Sequence, residues 1–364
     1  MSKRILLFVI LVVLLFTSCK KNEASSAFSN RDDINVITNT PEIKDEPEEP
    51  PKVPERDLTG LAVDNLTGDY IKEDVAARRP VAVVINNLKK ALPQSGISQA
   101  DIFYEVLAEG DITRIIAVFK DFDSPKIGTV RSARDYFITL AGDTDAIFVH
   151  FGGSPQAYSD IKSKKTDNLD GMRDGAFWRD PERFAQKGMY EHSAYTSAEK
   201  IFEYVTKKGY RTGLKNNDGL FEFFDEFSYP DGGTLTDTVT VPFSPAYTSV
   251  FKYDHKTNLF EKYNGTTPHI DEETGEILKV SNIIIQSTKM WVINNDSAGR
   301  REVKLVSSGK GYLVTGGEYT EITWEKTAAD SPTKYYDAKG NKLTLNKGKT
   351  WICIFQDNGT VTFE

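Results

Sequence analysis

Two short segments carry residue types that suit the binding of an anion. One is Thr129-Val130-Arg131-Ser132, and the other is His150-Phe151-Gly152-Gly153-Ser154. We predict that each segment leads into a helix, whose first N–H groups and positive dipole end favour negative charge. Glycine allows the backbone to come close to a ligand, and the guanidinium of arginine matches phosphate or carboxylate. Together these segments predict an anion-binding pocket.

We expect this pocket at the carboxyl ends of neighbouring strands, where ligands bind in open α/β sheets. Its predicted residues are Arg131, Ser132, Arg134, His150, Gly152, Gly153 and Ser154, with Glu105, Glu109 and Arg114 as possible neighbours. A simpler interpretation stays open, because serines cap helices without any ligand and arginines are common on protein surfaces. A histidine at a strand end, such as His150, is equally often a hydrogen-bonded core residue.

A predicted β-hairpin brings charged side chains close to the pocket. Its strands are Asp101–Glu109 and Ile112–Phe119, joined by a tight glycine turn. Because side chains alternate along a strand, Glu105 and Glu109 share one side of the first strand. With Arg114 in the second strand, these acids form either a cross-strand ion pair or part of the pocket.

Strands and helices alternate through the rest of this half. The apolar runs Arg79–Asn87 and Ala146–Phe151 predict strands that are buried on both faces. Ser132, with Asp135 three residues later, predicts a capping box and a helix over residues 133–142.

Two further helix starts are predicted from capping residues. Ser154 is followed by Pro155, which suits the first helical position. Thr196, with Glu199 three residues later, predicts a helix that ends at Gly209. The alternation of elements indicates helices packed on a mixed sheet.

The chain changes character beyond a stretch rich in Gly, Asp and Pro at residues 213–239, which we interpret as a linker. Short apolar runs then recur between turn pairs such as Asn264-Gly265 and Gly316-Gly317, without a helical pattern. The predicted fold class is an α/β N-terminal domain, with a mixed sheet and helices, over residues 58–212. A smaller, mainly antiparallel β domain follows over residues 240–364.

The first residues of the chain predict its location. The apolar run Ile5–Phe16 follows two basic residues, is too short to span a bilayer and has the length of a signal-peptide core. The residues before Cys19 resemble a bacterial lipobox, so residues 1–18 are predicted to be a lipoprotein signal peptide and Cys19 the lipidation site. An uncleaved apolar anchor is the alternative. Residues 19–57, acidic and proline-rich, are predicted to be a disordered tether. We expect the protein at the extracytoplasmic face of the cell membrane, anchored by lipid.

The composition excludes several classes of function. The 364 residues carry a formal charge of −8, whereas a nucleic-acid-binding protein needs basic surface to displace counterions. Two cysteines and four histidines, with no CxxC or HExxH pair, predict neither a disulfide framework nor a metal site. No complete set of nucleophile, base and orienting group can be assembled, so the catalytic residues stay unknown. No cofactor is predicted.

Several motifs resemble the YerB family of Gram-positive lipoproteins. They are Arg79–Asn87, Ala100–Glu105, Gly128–Arg134 and Val149–Ser154 in the first half, and Asn282–Gln286, Gly309–Gly311, Thr315–Gly317, Ile322–Trp324 and Gly348–Ile352 in the second. The resemblance extends from about residue 60 to the C-terminus, although Thr129 stands where the family usually has proline. It implies a two-part domain of unknown function, and it assigns no catalytic residue.

A weaker likeness, at the level of the fold, is to the LytR–CpsA–Psr enzymes, which attach glycopolymers to the cell wall from a polyprenyl-pyrophosphate donor. It implies that Arg131 and Arg134 clasp pyrophosphate with the help of Mg²⁺. Two functions therefore stay open. The first is a membrane-anchored protein that binds an anionic envelope component or a protein partner. The alternative is a phosphoryl- or glycosyl-transfer enzyme that acts on a polyprenyl-pyrophosphate-linked wall precursor.

Overall fold

The computed structural model describes residues 57–215 and 219–364. Its strands are β1 (Leu61–Val63), β2 (Tyr70–Lys72), β3 (Val81–Asn86), β4 (Ile102–Leu107), β5 (Thr113–Phe119), β6 (Ile127–Gly128), β7 (Ile147–His150), β8 (Asn168–Asp170), β9 (Trp178–Arg179), β10 (Ala194–Thr196), β11 (Glu222–Phe223), β12 (Thr234–Leu235), β13 (Thr238–Ser244), β14 (Tyr247–Asp254), β15 (Leu259–Asn264), β16 (Thr267–Pro268), β17 (Lys279–Val280), β18 (Asn282–Thr288), β19 (Met290–Val292), β20 (Arg301–Val303), β21 (Ser307–Thr315), β22 (Glu318–Lys326), β23 (Lys334–Tyr336), β24 (Thr344–Leu345), β25 (Thr350–Gln356) and β26 (Thr362–Phe363). The α-helices are α1 (Glu73–Ala76), α2 (Asp135–Gly142), α3 (Pro155–Lys164), α4 (Pro181–Ala185) and α5 (Ala198–Lys207).

One large mixed sheet organises the fold. Within the described residues it has eleven strands in the order β12-β22-β21-β18-β25-β4-β5-β3-β7-β8, with β23 paired to β22. Strands β18, β25 and β4 run parallel to one another, and so do β3, β7 and β8. Strand β5 lies antiparallel between β4 and β3. All six parallel strands therefore end at the same edge of the sheet.

The predicted fold class is confirmed, since the N-terminal part is a mixed sheet with helices and the C-terminal part is mainly antiparallel. The two parts share the large sheet, because β25 lies between β18 of the C-terminal part and β4 of the N-terminal part. Residues 57–364 accordingly form one compact unit. Every residue of β25 except Gln356 is buried, as expected for a strand that is covered on both faces.

Helices and a second sheet cover the two faces of the large sheet. Tyr136, Phe137 and Leu140 of α2 pack on one face with Val84 and Val118. On the other face lie Ile201 and Val205 of α5, together with apolar residues of a six-stranded sheet. The order of that sheet is β16-β15-β14-β13-β26, with β17 paired to β15. Burial on both sides explains why β3 is apolar along nearly its whole length.

The helix starts agree with the predictions at one position and correct them at two. Ser154 is the N-cap of α3 and accepts a hydrogen bond from the Ala157 N–H. The capping box predicted at Ser132 is wrong, because α2 begins at Asp135 and its N-cap is Arg134. The predicted cap at Thr196 is displaced by one residue, since Ser197 accepts from the Lys200 N–H.

The domain boundaries stay predictions. The described part of the predicted linker, residues 213–239, contains β11 and β12 and buries Leu220 and Phe221. The predicted signal peptide, the lipidation site Cys19 and nearly all of the predicted tether lie outside the described residues. No helix within the described residues is long and apolar enough to cross a membrane.

A buried ion pair joins the C-terminal strands to α2. Lys326 Nζ lies 2.5 Å from Asp143 Oδ1, and both side chains are buried. Thr333 donates to both oxygens of the same carboxylate through its N–H and its hydroxyl. Burial raises the pKa of Asp143, while the Lys326 ammonium opposes that shift. The charge of Asp143 therefore depends on Lys326 for its compensation.

We predict that Lys326→Met lowers the free energy of unfolding by about 3–5 kcal/mol, because it leaves a buried carboxylate without its counter-charge. The double variant Lys326→Met/Asp143→Asn should recover part of this loss, since the amide is neutral and still accepts from Thr333. Urea unfolding measures both. The control is Lys339→Met, which removes an exposed pair with Asp231 and should cost less than about 1 kcal/mol. An equal loss in Lys339→Met and Lys326→Met would contradict the prediction.

Candidate functional site

The two segments that predicted the pocket lie side by side. The Phe151 N–H donates to the Arg131 carbonyl at 2.9 Å, and the Ala133 N–H donates to the Gly152 carbonyl at 2.9 Å. The Ser154 N–H donates in turn to the Ala133 carbonyl at 3.1 Å. These bonds hold the approaches to α2 and α3 against each other.

Their place in the fold is the edge where the parallel strands end. The segment before α2 crosses the end of β3, because Arg131 N–H donates to the Val84 carbonyl and Val130 bridges Ile85. The other segment directly follows β7. This is the edge at which ligands bind in α/β sheets, as the sequence led us to expect.

The glycine segment already holds an anion, which the chain itself supplies. Asp170, buried at the end of β8, accepts from the Gly152 N–H at 2.9 Å and from the Met172 N–H at 3.0 Å through Oδ1. Its Oδ2 accepts from the Tyr158 hydroxyl at 2.9 Å. Burial raises the pKa of Asp170, but the N–H groups of Met172 and Gly152 lower it together with His150 and the Tyr158 hydroxyl, so the net shift is downward. The Gly152 N–H is therefore occupied rather than open to a ligand.

His150 and Ser132 also have internal partners. The buried His150 ring places Nδ1 2.8 Å from the Gly152 carbonyl and Nε2 3.1 Å from Asn168 Oδ1. The Ser132 hydroxyl donates to the Phe151 carbonyl at 3.1 Å. Gly153 contributes only a backbone bridge, to Ala133. These residues fix the two segments relative to each other, and the simpler interpretation of His150 fits its contacts.

The two arginines of the predicted pocket each hold a carboxylate. Arg131 donates through Nη2 to Glu191 Oε2 at 2.9 Å and through Nη1 to the Glu191 carbonyl at 2.8 Å. Arg134 Nε donates to Glu109 Oε1. The Arg131 Nε is buried and has no hydrogen-bond partner among the described residues, and Thr129 Oγ1 is in the same state. Arg131 therefore keeps one donor free.

The acids of the hairpin do not pair with Arg114, so the cross-strand ion pair is wrong. Glu105 is opposite Ile115 and Arg114 is opposite Val106, and consecutive positions point to opposite faces of a sheet. Glu105 is buried on the other face, where it accepts from Thr113 at 2.8 Å and from Ser249 at 2.7 Å. It is not a neighbour of the pocket.

Arg114 is a buried cation that forms no ion pair within the described residues, although Glu109 attracts it from a greater distance. Its side chain is only 6% exposed, and its one hydrogen bond within the described residues runs from Nη1 to the Thr113 carbonyl at 3.3 Å. Burial, and then the positive charges of Arg131 and Arg134, lower the pKa of Arg114 to about 10. Since that value is far above neutral pH, Arg114 stays charged. Three guanidiniums thus share a region with the carboxylates of Glu109 and Glu191.

His192 lies beside these arginines. We define the cationic cluster as Arg114, Arg131 and Arg134 together with His192. The buried His192 ring lies with Nδ1 2.8 Å from Asn86 Nδ2. An amide nitrogen is a donor, so His192 Nδ1 accepts and the ring is neutral. Burial and then the charge of Arg131 lower the pKa of His192. His192 therefore contributes a neutral imidazole beside the arginines at neutral pH.

Sequence reasoning missed Asp170, Glu191 and His192. A single aspartate at the end of a three-residue strand carries no recognisable pattern. Glu191 and His192 lie about 60 residues from Arg131 along the chain, and their proximity depends on the pairing of β10 with β6. No group of three or more His, Cys, Asp or Glu side chains in the described ranges could hold a metal ion.

We predict that Asp170→Ala destabilises the fold by about 2–4 kcal/mol, because three partly buried donors lose their acceptor. Formate should raise the melting temperature of this variant more than chloride does, since it replaces the lost carboxylate. A thermal melt in each salt at equal ionic strength measures the effect. Asp160→Ala, which removes a partly exposed acid of α3 paired with Lys164, should show no formate effect. Equal responses of Asp170→Ala to formate and chloride would contradict the assignment.

The lowered pKa of His192 predicts a pH dependence. The unfolded chain takes up a proton near the usual value of 6.5, whereas folded His192 takes it up at lower pH. Stability from this residue is therefore complete above about pH 6.5 and is lost as the pH falls. Urea unfolding at several pH values should show that the free energy of unfolding falls less steeply at acidic pH for His192→Gln than for the native protein. His255→Gln, at an exposed site, is the control. A native-like slope in His192→Gln would refute the prediction.

Comparisons with known proteins agree on one family. A model described as "Protein of unknown function (DUF3048) N-terminal domain" matches residues 66–211, and the corresponding C-terminal domain model matches residues 239–352. The chain is 38% identical to the "Putative lipoprotein YerB" of Bacillus subtilis (strain 168) over 302 residues, which cover 80% of this chain and 86% of that protein. The crystal structure of the Bacillus subtilis YerB protein superposes with a TM-score of 0.73 at 35% identity, over 82% of this chain and 98% of that one. The chain therefore belongs to the DUF3048 family.

Proposed function

We propose that this protein is an extracytoplasmic lipoprotein, anchored through Cys19, that binds a phosphate-bearing or carboxylate-bearing component of the cell envelope. The ligand site is the cationic cluster, with Arg114 at its centre. The observation that carries the proposal is the burial of Arg114 without an ion pair among the described residues. A buried charge normally has a partner of opposite sign, because desolvation costs several kcal/mol per ion.

The surroundings of Arg114 favour an external partner of negative charge. Arg131 and Arg134 add positive potential, which is the reason that they lower the pKa of Arg114. Glu191 forms an ion pair with Arg131 and Glu109 forms one with Arg134. Neither carboxylate forms an ion pair with Arg114. The partnerless Arg131 Nε supplies a further donor. An anion of two or three oxygens could accept from Arg114 and Arg131 together, in charge-assisted hydrogen bonds that are about twice as strong as neutral ones.

The location rests on the N-terminal sequence and on the family. The relative from Bacillus subtilis carries the description "Putative lipoprotein YerB", and the residues before Cys19 resemble a lipobox. An anion site on an anchored extracytoplasmic protein would face the polymers and headgroups of the envelope. Many of these carry phosphate or carboxylate.

Binding is favoured over group transfer by the contacts of the polar side chains nearby. The Ser132 hydroxyl donates to the Phe151 carbonyl, and both nitrogens of His150 face internal oxygens. Neither side chain forms the nucleophile–base contact on which covalent catalysis depends. The geometry therefore supports recognition of an anion without a reaction step.

We predict that Arg114→Met weakens anion binding without loss of stability. Pyrophosphate should raise the melting temperature of the native protein, and its dissociation constant should rise by about tenfold or more in Arg114→Met, the effect of losing about 1.5–3 kcal/mol of charge-assisted bonding. The ligand-free variant should be as stable as the native protein or more stable, because it lacks a buried cation that has no ion pair within the described residues. Thermal melts and isothermal titration with pyrophosphate measure the two effects.

The matched control is Arg300→Met, which removes one arginine that is paired with Asp296. It should bind pyrophosphate as the native protein does. Equal pyrophosphate affinity in Arg114→Met and the native protein would show that Arg114 is not the ligand site. A large loss of stability in ligand-free Arg114→Met would instead assign Arg114 to the fold.

A further inference from the structure

Beside the cationic cluster, four large apolar side chains are exposed within one stretch of nineteen residues. Met172 is 65% exposed, Tyr190 53%, Phe184 47% and Trp178 36%. We call Met172, Phe184 and Tyr190, with Arg179 between them in sequence, the aromatic patch. Single exposed apolar residues are ordinary in soluble proteins, but contiguous groups mark interaction surfaces. These side chains form such a surface where they are in contact with one another or with shared neighbours.

Contacts join the members of the patch into one surface, whereas Trp178 stacks on Tyr195 on the other face of β9. The ring centres of Phe184 and Tyr190 are 5.0 Å apart. Arg179 Cζ lies 4.1 Å from the centre of the Tyr190 ring and 4.8 Å from that of Phe151. Met172 lies over the backbone that follows Phe151, since its Cγ would be 3.5 Å from a Cβ on Gly152.

The patch has cations at its centre and rim. Arg179 donates through Nη1 to the Tyr190 carbonyl at 2.6 Å and to Ser193 Oγ at 3.1 Å, and it forms no ion pair with a described carboxylate. Lys187 is exposed and likewise has no ion pair in the part of the chain described. Of the nearby acids, Glu191 pairs with Arg131 and Asp180 with Lys126, whereas the exposed Glu182 of α4 has no ion pair within the described residues. The surface thus combines aromatic rings with two unpaired cations, Arg179 and Lys187, and one unpaired acid.

A second group of exposed apolar residues provides a contrast. Phe227 and Tyr229, with ring centres 5.2 Å apart, are exposed near Leu235. The chain around them carries Asp225, Glu226 and Asp231. An acidic rim repels an anionic surface, whereas the rim of the aromatic patch attracts one. The two groups therefore differ in the partner that they suit.

We propose that the aromatic patch docks on an anionic lipid bilayer and orients the folded unit against the membrane to which the chain is anchored. Trp and Tyr prefer the membrane–water interface, where an amphipathic ring has one apolar and one hydrated side. Each Lys or Arg near an anionic lipid surface adds attraction that falls off within a Debye length. The inference rests on the lipid anchor of the proposed function.

The anchor is also the reason that a weak surface contact is sufficient. Thirty-seven residues separate Cys19 from Asp57, and a chain of that length spans at most on the order of 100 Å. The patch therefore stays within reach of the bilayer. Docking is then an intramolecular event with a high effective concentration of lipid. A contact too weak to hold a free protein on a membrane would still orient this one.

Hydroxyl-radical footprinting of the lipidated full-length protein tests the proposal. The protein is placed in vesicles of equimolar phosphatidylcholine and phosphatidylglycerol, in pure phosphatidylcholine vesicles, and in detergent micelles. Oxidation of Met172, Phe184 and Tyr190 should be about fivefold lower in the anionic vesicles, the factor that corresponds to about 1 kcal/mol of attraction. Phe227 and Tyr229, exposed to a similar extent on the same chain, are internal controls and should not change.

The double variant Phe184→Ser/Tyr190→Ser separates this inference from the proposed function. Met172 should lose its protection in the variant, while pyrophosphate binding at Arg114 is retained. Three results would overturn the proposal: equal oxidation of Met172 in anionic vesicles and detergent, equal protection in neutral and anionic vesicles, or protection already complete in detergent. The last would mean that another segment of the chain or a second copy covers the patch. A native protein that binds pyrophosphate but shows no footprint refutes docking alone.

Discussion

A buried guanidinium without a carboxylate partner is the constraint on which the site depends. Arg114 cannot lose its proton, because even a pKa lowered to about 10 leaves it charged at neutral pH. Its place is fixed by the pairing of β5 with β4 and β3, which lie in the middle of the large sheet. The fold therefore places a positive charge at the edge where the parallel strands end. Most other charges near that edge have a partner.

Because those charges already have partners, the proposed site contains fewer residues than the set whose side-chain types suit anion binding. The Gly152 N–H, which is well placed for an external anion, is hydrogen-bonded to Asp170. The Asp170 carboxylate thereby connects the segment that precedes α3 to the end of β8. Arg131 and Arg134 hold Glu191 and Glu109 in the same manner. The proposed anion site therefore consists of the open donors of Arg114 and Arg131 and does not include the glycine loop.

Local patterns in the sequence were sufficient for several of the elements and for the meeting of the two pocket segments. The apolar run around β3 and the Ser154-Pro155 helix start gave the strand and the cap where the structure has them. Long-range pairing was not accessible in this way. The residues of β25 give no indication that this strand pairs with β4, some 250 residues earlier in the chain. The same limit hid Asp170 and His192, whose roles depend on which strands become neighbours. The capping box predicted at Ser132 was wrong because a serine followed three residues later by an acid is not specific to a helix N-cap. Here the acid of that pattern, Asp135, is itself the first residue of the helix.

An anomalous difference map from crystals soaked in tungstate is the measurement that bears most directly on the role of Arg114. Tungstate is a tetrahedral oxyanion with a strong anomalous signal and resembles phosphate in shape and charge. An unneutralised cation at the sheet edge predicts a peak within hydrogen-bond distance of the guanidiniums of Arg114 and Arg131, with Asp170 still on the Gly152 N–H. A map with tungstate bound elsewhere on the protein and no density beside Arg114 would contradict it.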